Sequence, residues 1–101
     1  MRNIVLICSA GMSTSMLVKR MQDAAAQEGY EAIIGAYSVS EISKVGPSAD
    51  IILLGPQVRF QLASIKKQFP NKIVDTIAMQ DYGRMDGPKV LKTAKELLGD
   101  N

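Results

Sequence analysis

Short apolar runs alternate with longer stretches of helical periodicity along this chain of 101 residues. Short apolar runs bounded by turn-forming residues are typical of β-strands, and apolar residues three or four positions apart are typical of helices. Because the two alternate, the pattern predicts an α/β fold of right-handed βαβ units, a small open four-stranded parallel sheet with helices on both faces. The predicted strands are residues 3–8, 31–37, 50–54 and 72–77.

The helical stretches are bounded by residues that commonly begin or end a helix. The first helix is predicted at about residues 13–28, with Gly29 as its natural stop. Ser38 and Glu41 have the spacing of a capping box, which predicts a short second helix that ends before Pro47. The remaining predictions are a helix over residues 56–69, an irregular connection over residues 78–87 and a helix over residues 87–98.

The predicted topology places the end of the first strand where open α/β sheets bind ligands. We expect the strand order 2-1-3-4, with the first strand inside the sheet. The crossovers then leave this strand in opposite directions, and ligands bind beyond the carboxyl ends of the strands at such a switch point. Cys8 ends the first strand and is therefore expected at the ligand-binding edge.

Composition and charge limit the kinds of partner and cofactor that the sequence predicts. With 12 basic and 10 acidic residues, no basic block and 5% aromatic residues, a nucleic-acid partner is not expected. The apolar content of 47% is enough for the core of a single domain over residues 1–101. One cysteine and no histidine predict no disulfide, no metal and no other cofactor, in a reducing, cytoplasmic environment. The first apolar run is too short for a signal peptide or a membrane span.

Small residues dominate the segment that follows Cys8. Small side chains let successive backbone N–H groups converge on one anion, and the positive end of the following helix points at the same place. We therefore predict a phosphate-binding loop with Cys8 as its nucleophile, ionised without a histidine base. The alternative is a buried, inert cysteine before an ordinary helix cap. The predicted phosphate-binding residues are Ser9, Ala10, Gly11, Met12, Ser13, Thr14 and Ser15.

Low-molecular-weight tyrosine phosphatases share the layout of strand, cysteine loop and helix, but this sequence departs from their pattern. Their loop carries an arginine at the position that Thr14 occupies here. Their general acid is an aspartate usually followed by proline, whereas Asp81 is followed by Tyr82. Without an arginine to grip the transition-state oxygens, the loop is expected to hold phosphate and to hydrolyse it slowly. A phosphatase or arsenate-reductase-like enzyme is the alternative function.

Four segments of the chain match one known family, CSAGMSTS at residues 8–15, LLGPQ at 53–57, PNK at 70–72 and YGRMDG at 82–87. On these segments the chain resembles the IIB subunits of the bacterial sugar phosphotransferase system (PTS), in the lactose/cellobiose/chitobiose class. It implies a cytoplasmic phosphocarrier whose Cys8 takes a phosphoryl group from a phosphohistidine of a IIA protein. The group then passes to a disaccharide held by the membrane component IIC. Because the carrier alternates between two partners, we expect transient contacts and a monomer.

Three further residues are candidates for the pocket or the partner surface. Gln57 follows the third predicted strand, and Tyr82 and Asp86 lie in the long connection after the fourth. The alternative is an ordinary first-turn residue for Gln57 and loop packing for Tyr82. Met12 is expected to be exposed, where a flexible apolar side chain suits docking. A non-enzymatic function also stays open, an anion-sensing or interaction module in which Cys8 is inert.

Overall fold

Strands and helices alternate along the chain, with short 3₁₀ turns between some of them. The structure, a computed structural model, describes residues 1–8 and 11–100, and for residues 11–13 the backbone alone. The strands are β1 (Arg2–Cys8), β2 (Ala32–Ser38), β3 (Ile51–Leu54) and β4 (Ile73–Thr76). The helices are α1 (Gly11–Glu28), α2 (Ile42–Val45), α3 (Leu62–Gln68), α4 (Met79–Gly83) and α5 (Gly87–Leu98). The 3₁₀ turns are Val39–Glu41, Gly46–Ser48 and Pro56–Gln61.

The four strands form one parallel sheet in the order β2-β1-β3-β4, which confirms the predicted order. Strand β1 lies inside the sheet, where Cys8 is in register with Ser38 of β2 and Ile7 with Leu54 of β3. Each strand agrees with its predicted range to within one residue at either end. The carboxyl ends of β1 and β3 therefore lie side by side, with Cys8 at that edge.

Side chains alternate across the buried strands, so that each face of the sheet packs its own layer of helices. Ile4 and Leu6 face α1 and α5, whereas Val5 and Ile7 face the layer that contains α2 and α3. Helices on both faces confirm the predicted architecture. Cys8 continues the alternation of Ile4 and Leu6 and therefore points towards α1.

Helix α1 begins earlier than the pattern predicts. The prediction started this helix at about residue 13, but Gly11 already belongs to it. Glycine and serine have low helix propensity, so the small residues at the start of α1 give no sequence signal for its first turn. Thr14 and Ser15 lie inside α1, within the predicted range, and the structure adds Gly11 and Met12 to its first turn.

The predicted third helix is divided. Pro56–Gln61 forms a 3₁₀ turn, in which Val58 has non-helical dihedral angles (φ −120°, ψ 15°), and α3 begins only at Leu62. The predicted second helix is likewise a series of short turns around α2. Its capping box is present, since the Glu41 carboxylate accepts the backbone N–H of Ser38 at 3.1 Å. The apolar spacing predicted the helical regions, but not the breaks within them.

The connection predicted to be irregular contains helix α4. Five residues are too few to show a helical period, which explains why the sequence did not reveal it. The turn between α4 and α5 is held against α1, because Nη1 of Arg20 donates to the carbonyl of Met85 at 3.2 Å. Gly87 permits this close packing, since a Cβ there would lie 2.5 Å from the backbone carbonyl carbon of Arg20. These contacts fix α4, which carries Tyr82, relative to α1.

Candidate functional site

Cys8 lies at the carboxyl end of β1 and is fully buried in this structure. Its neighbour on the β3 side is Gly55, whose backbone N–H donates to the carbonyl of Ile7 at 2.8 Å. A Cβ at Gly55 would lie 3.3 Å from the Cβ of Cys8 and 2.9 Å from Oε1 of Gln57. The missing side chain therefore leaves the space in which Cys8 and Gln57 approach the same sheet edge.

The Thr14 hydroxyl connects α1 to the sulfur. Thr14 is 1% exposed, and its Oγ1 donates to Sγ of Cys8 at 2.8 Å. This contact crosses the short gap between the end of β1 and the beginning of α1. The buried hydroxyl of α1 therefore reaches the sulfur at the end of β1 directly.

Tyr82 extends the contact from Thr14 towards the surface. Its ring packs against the core beneath α1 and α5, and its hydroxyl lies 2.9 Å from Oγ1 of Thr14. Nε2 of Gln57, an exposed residue, donates to the Tyr82 hydroxyl at 3.2 Å. The structure thus brings together Cys8, Thr14, Tyr82 and Gln57, which we call the sulfur relay.

The amino terminus of α1 adds an electrostatic contribution at the same edge. The first N–H groups of a helix have no acceptor within the helix, and its dipole is positive at this end. No acidic residue stands in the first turn of α1, whose backbone is described from Gly11.

Several predicted phosphate-binding residues lie outside the described part of the structure. These are Ser9 and Ala10, and the side chains of Gly11, Met12 and Ser13. The predicted exposure of Met12 therefore stays a prediction. Ser15 is described and is exposed.

Asp86 lies apart from the sulfur relay in the described chain. Its carboxylate accepts the backbone N–H of Lys89 at 3.2 Å and caps α5. It also lines a cleft of about 360 Å³ between α1 and the turn that follows α4, beside Arg20 and Arg84. The described geometry therefore gives Asp86 a structural role and leaves its predicted functional role untested.

Asp81 is buried although it carries a carboxylate. It is 9% exposed and lines a small cavity of about 90 Å³ with Thr76 and Val90, on the inner side of α4. The adjacent Tyr82 belongs to the sulfur relay. Asp81 and Tyr82, although neighbours in α4, therefore contact different parts of the protein. Among the described residues, no cluster of three or more acidic or cysteine side chains could hold a metal ion.

Sequence reasoning identified the members of the relay but not their connection. It treated Thr14 as one phosphate-binding hydroxyl among several, and it treated Gln57 and Tyr82 as separate candidates for the pocket. The available signal was topological, because the ends of β1 and β3 and the segment after β4 converge at one sheet edge. Only the structure reveals that side chains from these segments contact one another directly.

None of the helices in the described ranges combines the length and the apolarity needed to cross a bilayer.

Several proteins are similar to this chain over nearly its whole length. A galactose-specific PTS EIIB component of Lactococcus lactis subsp. cremoris is 44% identical, and the match covers 94% of each chain. A cellobiose-specific EIIB component of Lactococcus lactis subsp. lactis has the same identity and the same coverage.

A solved structure and a family model agree with these relatives. The solution structure of the cellobiose-specific phosphotransferase IIB component of Borrelia burgdorferi superimposes with a TM-score of 0.81 at 37% identity. That match covers 98% of this chain and 93% of the other. The model of the family described as PTS system, lactose/cellobiose-specific IIB subunit, matches residues 3–93. The chain therefore belongs to the lactose/cellobiose-specific IIB subunits of the sugar phosphotransferase system.

Proposed function

We propose that Cys8 is the residue through which this EIIB component takes part in phosphoryl transfer to sugar. In the first step the Cys8 thiolate attacks phosphorus on a phosphohistidine of a IIA protein. The sulfur lone pair forms the S–P bond, and the electron pair of the broken P–N bond stays on the imidazole nitrogen. In the second step a sugar hydroxyl attacks phosphorus, loses its proton to solvent or base, and returns the S–P electron pair to sulfur.

The observation that carries this proposal is the hydrogen bond from Thr14 to the Cys8 sulfur at 2.8 Å. A nucleophilic sulfur has to be ionised, and the chain contains no histidine to serve as its base. Donation from a buried hydroxyl, together with the positive end of α1, supplies that stabilisation by other means. An inert structural cysteine needs neither.

The incoming phosphoryl group is held by the beginning of α1 in this proposal. The predicted phosphate-binding residues are those that follow Cys8, from Ser9 to Ser15. The first N–H groups of a helix have no acceptor within it, and α1 begins at Gly11, within this segment. Thr14 has a double task, because its hydroxyl is bonded to sulfur before transfer and is adjacent to the phosphoryl oxygens afterwards.

The surroundings of Cys8 favour storage of the phosphoryl group over its hydrolysis. The position that bears the arginine in the phosphatase loop is occupied by the buried Thr14, which brings no positive charge. The buried Asp81 lines a cavity beneath α4 together with Thr76 and Val90. Without a guanidinium to stabilise the transition state, a phosphocysteine survives long enough to meet its acceptor.

Exposed apolar side chains near this edge suit short-lived docking. Met16 on α1, Phe60 in the turn after β3 and Met79 at the start of α4 are 49%, 78% and 61% exposed. All three stand on segments that directly follow the carboxyl ends of β1, β3 and β4. A modest apolar surface around a buried nucleophile fits alternating contact with a IIA donor and a IIC acceptor, with the chain acting as a monomer.

The sugar proposed is a disaccharide of the cellobiose, chitobiose or lactose kind. Support comes from the name of one Lactococcus relative, which is cellobiose-specific, but another of equal identity is galactose-specific. Overall similarity therefore does not select the sugar. A screen of sugar uptake in a strain that lacks this chain tests this part separately from the chemistry at Cys8.

The function is tested by incubating the protein with phosphoenolpyruvate, the general PTS proteins and a IIA protein. The expected result is a stable gain of one phosphoryl group, measured by intact mass, that is absent in Cys8→Ser. Steady release of phosphate from a small aryl phosphate would instead support the phosphatase alternative. No gain of mass, with a IIA protein that phosphorylates another IIB subunit, would support the inert interaction module.

A further inference from the structure

The hydrogen bonds of the sulfur relay have a single direction. A hydroxyl has one proton, and the proton of Thr14 is committed to the Cys8 sulfur. Either oxygen could donate in the contact of 2.9 Å between the hydroxyls of Thr14 and Tyr82, and with the Thr14 proton directed at sulfur the donor is Tyr82. The amide nitrogen of Gln57 is a donor only, so it donates to the Tyr82 oxygen at 3.2 Å. Each donor is thus aimed one step closer to the sulfur.

From this direction we infer that Tyr82 and Gln57 are positioning residues that hold the Thr14 proton on the Cys8 sulfur and so favour the thiolate. Tyr82 donates to the oxygen of Thr14, which would otherwise accept a hydrogen bond from another donor. Gln57 donates in the same way to the oxygen of Tyr82. The inference deepens the function proposed for Cys8 and rests on it for its biological purpose.

Burial along the relay explains why the outer members matter to the inner one. Gln57 is exposed, Tyr82 is half-buried, and Thr14 and Cys8 are buried. At the inner end there is little water to reorient the Thr14 hydroxyl, so its orientation depends on the partner that donates to it. Consecutive hydrogen bonds such as those of the sulfur relay polarise one another, so each hydrogen bond strengthens the next one.

The ionisation of Cys8 can be followed directly, because it is the chain's one cysteine. Protein labelled with ¹³C at the cysteine Cβ gives one resonance, whose shift reports the thiol-to-thiolate equilibrium as pH is raised. We expect Tyr82→Phe to move the midpoint to higher pH, with a change in the equilibrium on the order of threefold. Tyr37→Phe is the matched control, since Tyr37 packs in the core on the other face of the sheet and is expected to leave the midpoint in place.

A double variant separates positioning from a general structural effect. If Tyr82 acts through Thr14, then Tyr82→Phe combined with Thr14→Val has the same midpoint as Thr14→Val alone. If Tyr82 acts independently of Thr14, the two shifts add. Additive shifts, or a midpoint in Tyr82→Phe equal to that of the unmodified protein, would overturn the inference.

Gln57→Glu tests the direction of the relay. A carboxylate accepts and cannot donate, so it draws the Tyr82 proton away from Thr14 and raises the midpoint at least as far as Tyr82→Phe does. Gln80→Glu places the same charge on α4, two positions before Tyr82, and is the control for charge alone. Equal shifts in the two glutamate variants would contradict the inferred direction. These titrations need no PTS partner, so they can fail while phosphorylation of Cys8 still occurs, and the reverse also holds.

Discussion

The hydroxyl of Thr14, a buried residue of α1, donates to the sulfur of Cys8 at the end of β1 across 2.8 Å. A strand and the helix that follows it are thereby joined through the atom proposed to carry the phosphoryl group. This arrangement differs from a phosphatase loop in one decisive way. A neutral hydroxyl stands where a charged guanidinium would otherwise contact the phosphoryl oxygens.

Thr14→Val tests the importance of this hydroxyl for transfer. Hydrogen bonds to charged groups contribute about 1.5–3 kcal/mol, so we expect phosphoryl transfer from IIA to slow by about tenfold or more at neutral pH. The shape of the side chain is retained, and the free energy of unfolding should fall by only about 1 kcal/mol. Rapid-quench measurement of one turnover, alongside thermal unfolding, checks both expectations.

Thr93→Val is the matched control for this substitution. The Thr93 hydroxyl donates to the carbonyl of Lys89 within α5, at 3.1 Å. The control removes a hydroxyl of the same kind away from the sulfur and should leave transfer unchanged. Transfer by Thr14→Val at the rate of the Thr93 control would show that the contact with Cys8 is dispensable.

Gly55→Ala tests the space between β3 and Cys8. The added Cβ would lie 3.3 Å from the Cβ of Cys8 and 2.9 Å from Oε1 of Gln57, so the flexible Gln57 side chain has to move. We expect slower transfer with a loss of stability of about 1 kcal/mol or less, because the backbone nearby is not displaced far. Transfer rate and chemical denaturation, measured on the same samples, separate the two effects.

Gly83→Ala serves as the control, because a Cβ at this position of α4 meets nothing within 4 Å. Transfer in this variant should match that of the unsubstituted protein, although Gly83 is adjacent to Tyr82. If both alanine variants transfer at the same rate, close packing at Gly55 has no part in the site.

The buried strands were the most predictable part of the fold, because continuous apolar runs such as residues 51–54 have few other interpretations. Strand order and the position of Cys8 followed from connection rules. Helix α4 was missed, since five residues are too few to show a helical period, and the turn after it is held by a distant residue, Arg20. The hydrogen bond between Gln57 and Tyr82 joins side chains 25 residues apart, and no local pattern reports such a contact.

A charged cluster at the other end of β1 predicts how stability depends on acid. The Asp100 carboxylate accepts from Nε and Nη2 of Arg2 at 2.7 and 2.8 Å, and from the Tyr30 hydroxyl at 2.6 Å. The Arg2 hydrogen bonds, followed by that of Tyr30, lower the pKa of Asp100 from 3.8 to about 2. The stabilisation is therefore complete above pH 4 and is lost as the pH falls through about 2.

Asp100→Asn should be less stable than the unsubstituted protein at pH 6, and the difference should shrink as the pH falls from about 4 to about 2. Denaturation midpoints at a series of pH values measure this convergence. Asp23→Asn, at an exposed position of α1, is the control and should show a much smaller difference at pH 6. A difference for Asp100→Asn that stays constant down to pH 2 would refute the assignment of this cluster.

Tyr30 predicts the corresponding behaviour in alkali. Burial, and the hydrogen bond that its hydroxyl donates to Asp100, raise the pKa of Tyr30 from 10.0 to about 12. The folded protein thus binds this proton more tightly, and the stabilisation is complete below pH 10 and lost as the pH rises through about 12. The stability advantage over Tyr30→Phe should decline across that interval. Ionisation of Tyr30 near pH 10, seen as a tyrosinate absorbance that Tyr30→Phe lacks, would contradict this prediction.

The most direct test asks which atom receives the phosphoryl group. Protein phosphorylated by phosphoenolpyruvate, the general PTS proteins and IIA should be digested rapidly and sequenced by tandem mass spectrometry. We predict one phosphoryl group on Cys8 and none on the neighbouring serines or Thr14. A phosphoryl group on one of those hydroxyls, or unchanged phosphorylation in Cys8→Ser, would contradict the account.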